Sequence, residues 1–216
     1  MAADTIAILE TLYSAVVADV LDSLDRRHQC LGSAIRALTP ANRVCGRVFT
    51  ARALTVDREP EEPYKLEMKA IDTMAAGDVL VVDAGHHRDS AFWGELLTTA
   101  CLAKGVRGIV MSTCARDLWK LDEIDFPVFG IGTTPADSKG RIDVVEIGMP
   151  VTIDGVAIAS GDWILGDQDG VVVIPADQLD PTLKRARAKV SGENTVRDEL
   201  AAGVPVAEVF RRHGIL

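Results

Sequence analysis

Three short apolar segments separated by helical segments most constrain the fold of this chain. VLVVD (79–83), GIVM (108–111) and PVFGIG (127–132) alternate with helical patterns at 91–105 and 118–123. Strands that are apolar on both sides belong in a sheet covered on both faces, and their alternation with helices favours parallel pairing. The sequence therefore predicts an α/β protein.

The flanking segments predict one further helical layer and one layer of hairpins. Residues 5–25 carry apolar side chains at helical spacing and predict one or two helices, whereas residues 48–56 predict a strand. After residue 141 the chain turns to short strands with Asp-Gly at 154–155 and 169–170, a strong β-hairpin signal. We expect a single-domain α/β/β sandwich.

A polar helix at 176–202 and a shorter one at 205–213 close the chain. Because they have too few apolar positions for a core of their own, we expect them to lie across the body or on a neighbouring subunit. The predicted organisation is an α/β/β domain at 1–175, including the N-terminal helices, and a C-terminal helical arm at 176–216 that packs on a neighbouring subunit. Such an arm favours a homo-oligomer.

The acidic composition narrows the class of partner. The 32 acidic residues exceed the 23 basic ones, giving a net charge of -9, and aromatic residues make up 5%. Nucleic acid is therefore disfavoured, since its binders present basic patches and stacking aromatic side chains. The chain has no apolar run of 18 residues, no basic stretch before an apolar N-terminal segment and no CxxC pair. We expect a cytoplasmic protein with reduced thiols that does not bind a membrane.

The segment Ser112 to Asp117 is the first candidate site, because it follows a buried strand and ligands collect at the carboxyl ends of parallel strands. The planar fork of Arg116 could clamp a carboxylate, and Asp117 could hold a hard divalent cation. The alternative is structural, with Asp117 as a helix N-cap and Arg116 in a surface or interface ion pair.

The segment Gly94 to Leu97 is the second candidate site. If a helix begins near Gly94, its free backbone N–H groups form an anion site suited to a carboxylate, and Glu95 adds an acid in the same space. The alternative is that Gly94 lies inside the helix and that Glu95 is solvated. When only the spacing of apolar residues is considered, this alternative is favoured. The adjacent His86 and His87 are interpreted as loop residues, because neighbouring histidines point in different directions.

The segments 77–117, 127–140 and 166–175 resemble the RraA-like family. The ordered set of WGEL, Arg-Asp and DGVVVIP is more specific than any one of its parts. This family contains the regulator of ribonuclease activity A and the class II 4-hydroxy-4-methyl-2-oxoglutarate / 4-carboxy-4-hydroxy-2-oxoadipate aldolases. The resemblance implies the α/β/β fold of the swivelling β/β/α type and subunits assembled as trimers or hexamers.

The resemblance also implies how substrate is bound. The carboxylate of a pyruvyl unit would be held by four successive backbone amides, those of Gly94, Glu95, Leu96 and Leu97. Arg116 would grip the pyruvate carboxylate or keto oxygen and stabilise the enolate.

Three acidic residues correspond to the metal site of the aldolases. Asp117 would bind Mg²⁺ or Mn²⁺ directly. Glu95 stands where the aldolases carry an acid that holds metal-bound water, and Glu193 matches an acid that reaches the metal of a neighbouring subunit through water. With Arg116, Glu95 and Asp117 make up the expected catalytic set.

The implied activity is that of a divalent-metal-dependent lyase. It would cleave a 4-hydroxy-2-oxo di- or tricarboxylic acid to pyruvate by retro-aldol reaction, with oxaloacetate decarboxylation as a side activity. The alternative is a non-catalytic regulator that binds ribonuclease E, although the regulators are shorter and lack the C-terminal arm. A methyltransferase acting on menaquinone is disfavoured, because no GxGxG loop follows an early strand.

Two departures from the aldolase pattern leave the physiological substrate open. Ser112 and Thr113 stand where many aldolases have Asp-Gly, and His86-His87-Arg88 replaces a small, glycine-rich loop. We hypothesise that Arg88 binds a second carboxylate of the substrate. Mg²⁺ versus Mn²⁺ and trimer versus hexamer are also open.

Overall fold

A computed structural model describes residues 2–215. Numbered in chain order, the strands are β1 (Arg36–Ala37), β2 (Val44–Thr55), β3 (Asp78–Asp83), β4 (Ala91–Trp93), β5 (Ile109–Met111), β6 (Cys114–Ala115), β7 (Val128–Gly130), β8 (Gly132–Thr133), β9 (Ile142–Ile147), β10 (Val151–Ile153), β11 (Val156–Ile158), β12 (Trp163–Gly166) and β13 (Val171–Ile174). The α-helices are α1 (Ala2–Leu9), α2 (Ser14–Ser23), α3 (Lys65–Thr73), α4 (Glu95–Ala103), α5 (Leu118–Leu121), α6 (Leu179–Ala201) and α7 (Val206–His213).

The predicted parallel strands form the centre of a large sheet. Its order is β1-β7-β5-β3-β2-β12-β13, and β9 also pairs with β2. The pairs β2–β3, β3–β5 and β5–β7 are parallel, whereas β1, β9, β12 and β13 join antiparallel. Side chains of β3 alternate between two hydrophobic clusters, with Val79 and Val81 on one face and Leu80 and Val82 on the other.

The two faces of the sheet are covered by different layers. Buried residues of α3 and α4, such as Ile71 and Cys101, pack on the face that carries Leu80. The hairpin β10–β11 covers the other face through Val151, Ile153 and its neighbours, with Asp-Gly at its turn. The predicted single-domain α/β/β sandwich is confirmed.

A third cluster joins the N-terminal helices, β12–β13 and the first half of α6. Leu183 and Ala186 of α6 are buried there with Val17 and Leu21 of α2. This part of the predicted arm therefore packs on its own chain. Its contact with a neighbouring subunit and the division at residue 175 stay predictions. Among residues 2–215, no helix has the length and apolarity needed to span a membrane.

The helix predicted at 91–105 is wrong in its first residues. Ala91–Trp93 is a buried strand, and the helix begins at Glu95. This strand belongs to a second, parallel sheet with the order β4-β6-β8. Two backbone hydrogen bonds join its strands where they end. Arg116 N donates to Trp93 O (2.8 Å), and Thr134 N donates to Ala115 O (3.1 Å). We call it the small sheet.

Asp167 connects the turn between β12 and β13 to the start of α2. Its buried carboxylate accepts hydrogen bonds from Ser14 N (2.7 Å), Ser14 Oγ (2.6 Å) and Asp169 N (3.0 Å). It thereby satisfies a first-turn N–H of α2 that has no partner within the helix.

We expect Asp167→Ala to lower the free energy of unfolding by about 2 kcal/mol, because it leaves buried donors unpaired. Denaturant unfolding measures this change. The matched control is Asp169→Ala at an exposed position of the same turn, expected to change stability by less than about 0.5 kcal/mol. Equal losses in the two variants would contradict the role assigned to Asp167.

Candidate active site

A cavity of about 320 Å³ lies between α3, α4 and the small sheet. Its apolar wall comprises Met68, Ala91, Phe92, Trp93, Leu96 and Leu97, and its polar groups are Tyr64, Glu67, Arg116, Asp117, Asp137 and Ser138. Gly94 completes the lining. The structure thus brings the two candidate segments found in the sequence into one cavity.

The carboxylate of Asp117 lies against the N-terminus of α4. Asp117 has a left-handed backbone (φ 61°) and makes no side-chain hydrogen bond to α5, which comes directly after it. Its Oδ2 instead accepts a bond of 3.3 Å from the backbone N of Glu95. Asp117 is therefore the N-cap residue of α5 by position, as the alternative expected, but its side chain does not cap that helix.

Gly94 makes this approach possible. A Cβ atom at this position would lie 2.6 Å from Oδ2 of Asp117, closer than real side chains come. Gly94 is the N-cap of α4 and not an interior residue, so the helix does begin where an anion site requires it.

Arg116 is held between two carboxylates. Its Nη1 lies 3.1 Å from Oδ1 of Asp137, and its Nε lies 3.9 Å from Oδ2 of Asp117. The hydroxyl of Tyr64 donates a hydrogen bond of 2.6 Å to the other oxygen of Asp137. Burial and this hydrogen bond raise the pKa of Tyr64 to about 12, so the phenol stays a proton donor. The guanidinium is therefore fixed inside the cavity, with other N–H groups left for a ligand.

Glu67 is a buried acid on the cavity wall. It lies on the same face of α3 as Ala70 and Ile71 and is 7% exposed. Within residues 2–215 its carboxyl makes no hydrogen bond. Burial, followed by the negative charges of Asp137 and Asp143, raises its pKa to about 8, while Arg116 acts in the opposite direction. Glu67 is therefore mostly protonated and neutral at pH 7.

Two predicted acids do not enter the cavity within one chain. The carboxylate of Glu95 accepts a hydrogen bond of 3.0 Å from Thr99 Oγ1, one turn along α4. Glu193 accepts a hydrogen bond from the hydroxyl of Tyr13, beside α2. Neither side chain lines the cavity, and the participation of Glu193 from a neighbouring subunit stays a prediction.

The residues of the unusual loop also lie outside the cavity. His86 pairs with Asp154 at 3.1 Å. His87 is buried, with Nε2 2.8 Å from Ser90 Oγ. Arg88 donates a hydrogen bond of 2.9 Å to the carbonyl of Ile131. The hypothesis that Arg88 binds a second carboxylate finds no support in its position.

The substituted pair Ser112 and Thr113 is structural in this chain. Both residues are fully buried and absent from the cavity lining. Ser112 Oγ accepts a hydrogen bond of 2.8 Å from Ala84 N, and Thr113 Oγ1 donates one of 2.9 Å to His87 O. They therefore fix the loop after β3 and do not shape the pocket directly.

Four polar residues of the cavity, Tyr64, Glu67, Asp137 and Ser138, were not predicted from the sequence. Glu67 carried a usable signal, since an acid at the position i before Ala70 (i+3) and Ile71 (i+4) falls on the apolar face of α3. Tyr64 and Asp137 carried none, because both lie in loops whose positions depend on the folded chain.

One protein carboxylate of this site, that of Asp117, is available to a divalent cation. Within residues 2–215, no three His, Cys, Asp or Glu side chains are grouped to hold a metal ion. The contacts of the Asp117 carboxylate with Glu95 N and Arg116 Nε both use Oδ2, which leaves Oδ1 for a cation. Mg²⁺ is commonly bound through one or two carboxylates, with waters and substrate oxygens completing the octahedron. The donor set is thus compatible with the metal that the resemblance implies.

The fold and this site define an α/β/β protein whose cavity, beside parallel strands, combines an arginine with a helix N-terminus. A family model described as RraA-like, Aldolase/RraA, matches residues 14–173. A protein of Halalkalibacterium halodurans, named "Putative 4-hydroxy-4-methyl-2-oxoglutarate aldolase", is 32% identical over 186 residues, covering 86% of this chain and 83% of that protein. The chain therefore belongs to the RraA-like family.

Two solved structures share the fold. An uncharacterized protein from Pseudomonas syringae pv. tomato has a TM-score of 0.84 at 27% identity, covering 97% of this chain and 98% of that chain. Streptomyces coelicolor RraAS2, described as an unusual member of the RNase ES inhibitor RraA protein family, has a TM-score of 0.81 at 27% identity. That match covers 91% of this chain and 98% of the other. A relative described as a member of an inhibitor family is therefore almost as long as this chain. Chain length alone does not distinguish such relatives from those named as aldolases.

The raised pKa of Glu67 predicts a pH dependence of stability. Between the ordinary carboxyl pKa and about 8, the folded chain binds one more proton at Glu67 than the unfolded chain. Stability therefore falls as the pH rises through this window, by at most about 1.4 kcal/mol per pH unit. Glu67→Gln removes this pH-dependent contribution. The free energy of unfolding of the variant, relative to that of the wild type, should therefore increase as the pH rises from 5 to 8.

Denaturant unfolding at pH 5, 6, 7 and 8 measures the effect. The control is Glu61→Gln, an exposed acid just before α3, which should track the wild type at every pH. A constant difference between Glu67→Gln and wild type across this range would contradict a neutral Glu67.

Proposed function

We propose that this protein is a divalent-metal-dependent lyase that cleaves a 4-hydroxy-2-oxo acid to pyruvate by retro-aldol reaction. Oxaloacetate decarboxylation is the side activity that the same site would support. The observation that carries the proposal is the meeting of Arg116, Asp117 and the N-terminus of α4 in one cavity. The aldolase names of relatives such as the Halalkalibacterium protein support the same reaction class.

The positive groups of the cavity suit the negative charges of the substrate and of the enolate formed in the reaction. The N–H groups of Leu96 and Leu97, which have no partner within α4, and the guanidinium of Arg116 bind the substrate carboxylate and keto oxygen. Cleavage of the C3–C4 bond leaves its electron pair on a pyruvate enolate, and Arg116 stabilises the negative charge that develops. Asp117 would hold a divalent cation, Mg²⁺ or Mn²⁺, which would supply Lewis-acid stabilisation of that negative charge.

The position of Arg116 is maintained by Asp137 and Tyr64. A guanidinium tethered through Asp137 keeps its orientation while the enolate forms, which is the preorganisation that electrostatic catalysis requires. Among the described residues, no lysine lines the cavity, so the electron pair is not delocalised into a Schiff base there.

We further propose a homotrimer or homohexamer in the cytoplasm. Large apolar side chains around the cavity are exposed in the single chain, including Leu96 (79%), Trp119 (69%) and Met68 (54%). A neighbouring subunit covering them would bury apolar surface and complete the site. In that assembly, Glu193 of the partner subunit and Glu95 are the acids proposed to act beside Asp117.

A regulator that binds ribonuclease E is the second candidate function. The observation in favour of this function is the likeness to Streptomyces coelicolor RraAS2, which covers 91% of this chain. A regulator needs a protein-binding surface and not a catalytic cavity, so turnover separates the two candidates.

The direct test measures pyruvate release from oxaloacetate and from 4-hydroxy-4-methyl-2-oxoglutarate, coupled to lactate dehydrogenase. We expect activity with Mg²⁺ or Mn²⁺ above the enzyme-free blank and its loss in EDTA. Asp117→Ala should lose roughly 100-fold or more in kcat/KM. The matched control is Asp122→Ala, an exposed aspartate just after α5, expected to stay within about twofold of wild type.

Two outcomes would count against the lyase. The first is no metal-dependent release from either compound by folded wild-type protein, and binding of a ribonuclease E fragment by that protein would then favour the regulator. The second is unchanged activity in Asp117→Ala, which would remove Asp117 from the site.

A further inference from the structure

Glu67 places a carboxyl group on the α3 wall of the cavity. Its side chain is 7% exposed and lines the cavity. The helix fixes this position, because Ile71, one turn further along the same face of α3, is buried in the hydrophobic cluster that carries Leu80. Among residues 2–215 the Glu67 carboxyl has no hydrogen-bond partner, so it is available to a molecule in the cavity.

The charged groups around Glu67 favour a carboxyl that keeps its proton. Burial is the largest cause that raises its pKa, followed by the carboxylates of Asp137 and of Asp143 on β9, whereas Arg116 lowers it. Asp137 is in turn contacted by Arg116 at its carboxylate and by Arg141, which donates a hydrogen bond of 2.9 Å to its backbone carbonyl. At neutral pH, Glu67 therefore offers a proton to the cavity.

Bound ligands act on this proton in opposite directions. A substrate carboxylate adds negative charge and raises the pKa of Glu67, whereas a cation held by Asp117 would lower it. The pKa of Tyr64, raised to about 12, keeps this neighbour of Asp137 neutral. A carboxyl between opposing charges can both donate and accept a proton near neutral pH, as general acid–base catalysis requires.

The anchors of the pyruvyl unit direct its third carbon away from themselves. In the proposed function, the substrate carboxylate (C1) and keto oxygen (on C2) are bound by Leu96 N, Leu97 N and Arg116. C3 is the next carbon, so it projects from these anchors into the rest of the cavity. The cavity holds about 320 Å³, the size of a small ligand, so an anchored pyruvyl unit lies close to the α3 wall. Glu67 lines that wall.

We propose that Glu67 is a catalytic residue that protonates C3 of the pyruvate enolate. The inference rests on the proposed lyase function and supplies the proton donor for its last step. The C3–C4 bond breaks and leaves its electron pair in the enolate, and C3 then takes the proton of the Glu67 carboxyl as the keto group forms again.

The protons of this reaction balance. The C4 hydroxyl loses one proton as its carbonyl forms, C3 gains one from Glu67, and water returns one to the Glu67 carboxylate. Aldol cleavage therefore neither consumes nor releases a proton overall. In the reverse direction, the Glu67 carboxylate removes a proton from the methyl group of pyruvate.

Two reactions of the full-length protein with Mg²⁺ separate proton transfer from bond cleavage. Oxaloacetate decarboxylation, followed as loss of oxaloacetate, forms the enolate by losing CO₂, and water can protonate that enolate after its release. Exchange of the methyl protons of pyruvate in D₂O requires a base at C3 in every event. We expect Glu67→Gln to slow exchange by about 100-fold, and to slow exchange at least about tenfold more than decarboxylation. A purely structural Glu67 would lower both rates by the same factor.

Glu67→Asp and Glu61→Gln are the matched variants. Glu67→Asp keeps the carboxyl on a side chain that is shorter by one methylene, so it should exchange pyruvate protons faster than Glu67→Gln. Glu61→Gln removes an exposed acid just before α3 and should stay within about twofold of the wild type in both reactions.

The pH profile of exchange tests the same role in the wild type. Because the carboxylate form of Glu67 is the base, the exchange rate should rise with pH until Glu67 is ionised and then level off. The rise should persist in Glu61→Gln and be absent from Glu67→Gln.

Failure of the inference and failure of the lyase give different results. Metal-dependent decarboxylation by the wild type without pyruvate exchange would overturn the role of Glu67 and leave the lyase standing. Undiminished exchange in Glu67→Gln, or equal losses of both rates, would do the same. Absence of both reactions in folded, Mg²⁺-loaded wild type would overturn the lyase and the role of Glu67 together.

Discussion

The small parallel sheet is the constraint on which the site depends. Each of three parallel strands of the main sheet leads into one of its strands, β3 into β4, β5 into β6 and β7 into β8. Parallel pairing then places the residues after β4, β6 and β8 side by side: Gly94, the pair Arg116-Asp117, and the loop that carries Asp137. Three segments that are distant along the chain thereby share one cavity.

The electrostatics of the cavity result from this arrangement. Asp117 and Asp137 flank a single guanidinium, and Glu67 faces the same space from α3. Three carboxyl groups cannot all ionise cheaply around one cation, so burial and mutual repulsion leave Glu67 protonated. The cavity thus combines one guanidinium with a protonated carboxyl on its α3 side.

The sequence predicted the main strands and hairpins of this fold better than the bounds of its elements and the tertiary contacts of its loops. Apolar segments predicted the parallel strands, Asp-Gly predicted both hairpins, and Gly94, Arg116 and Asp117 do share one cavity. Ala91–Trp93 was misassigned because a three-residue apolar strand directly before a helix fits a helical pattern equally well. Asp137 and Tyr64 were missed because their roles arise from tertiary contacts alone. The role predicted for Glu193 requires contacts between subunits, which one chain does not contain.

Under the proposed function, Arg116 and a cation held by Asp117 stabilise a pyruvate enolate. Proton NMR of pyruvate in D₂O measures this most directly, since enolisation exchanges the methyl protons without any aldol substrate. We expect Mg²⁺-dependent exchange by the wild type, slowed about tenfold or more in Arg116→Lys, because an ammonium does not reproduce the planar fork of a guanidinium. Absence of exchange by folded, Mg²⁺-loaded wild type, or undiminished exchange in Arg116→Lys, would contradict it.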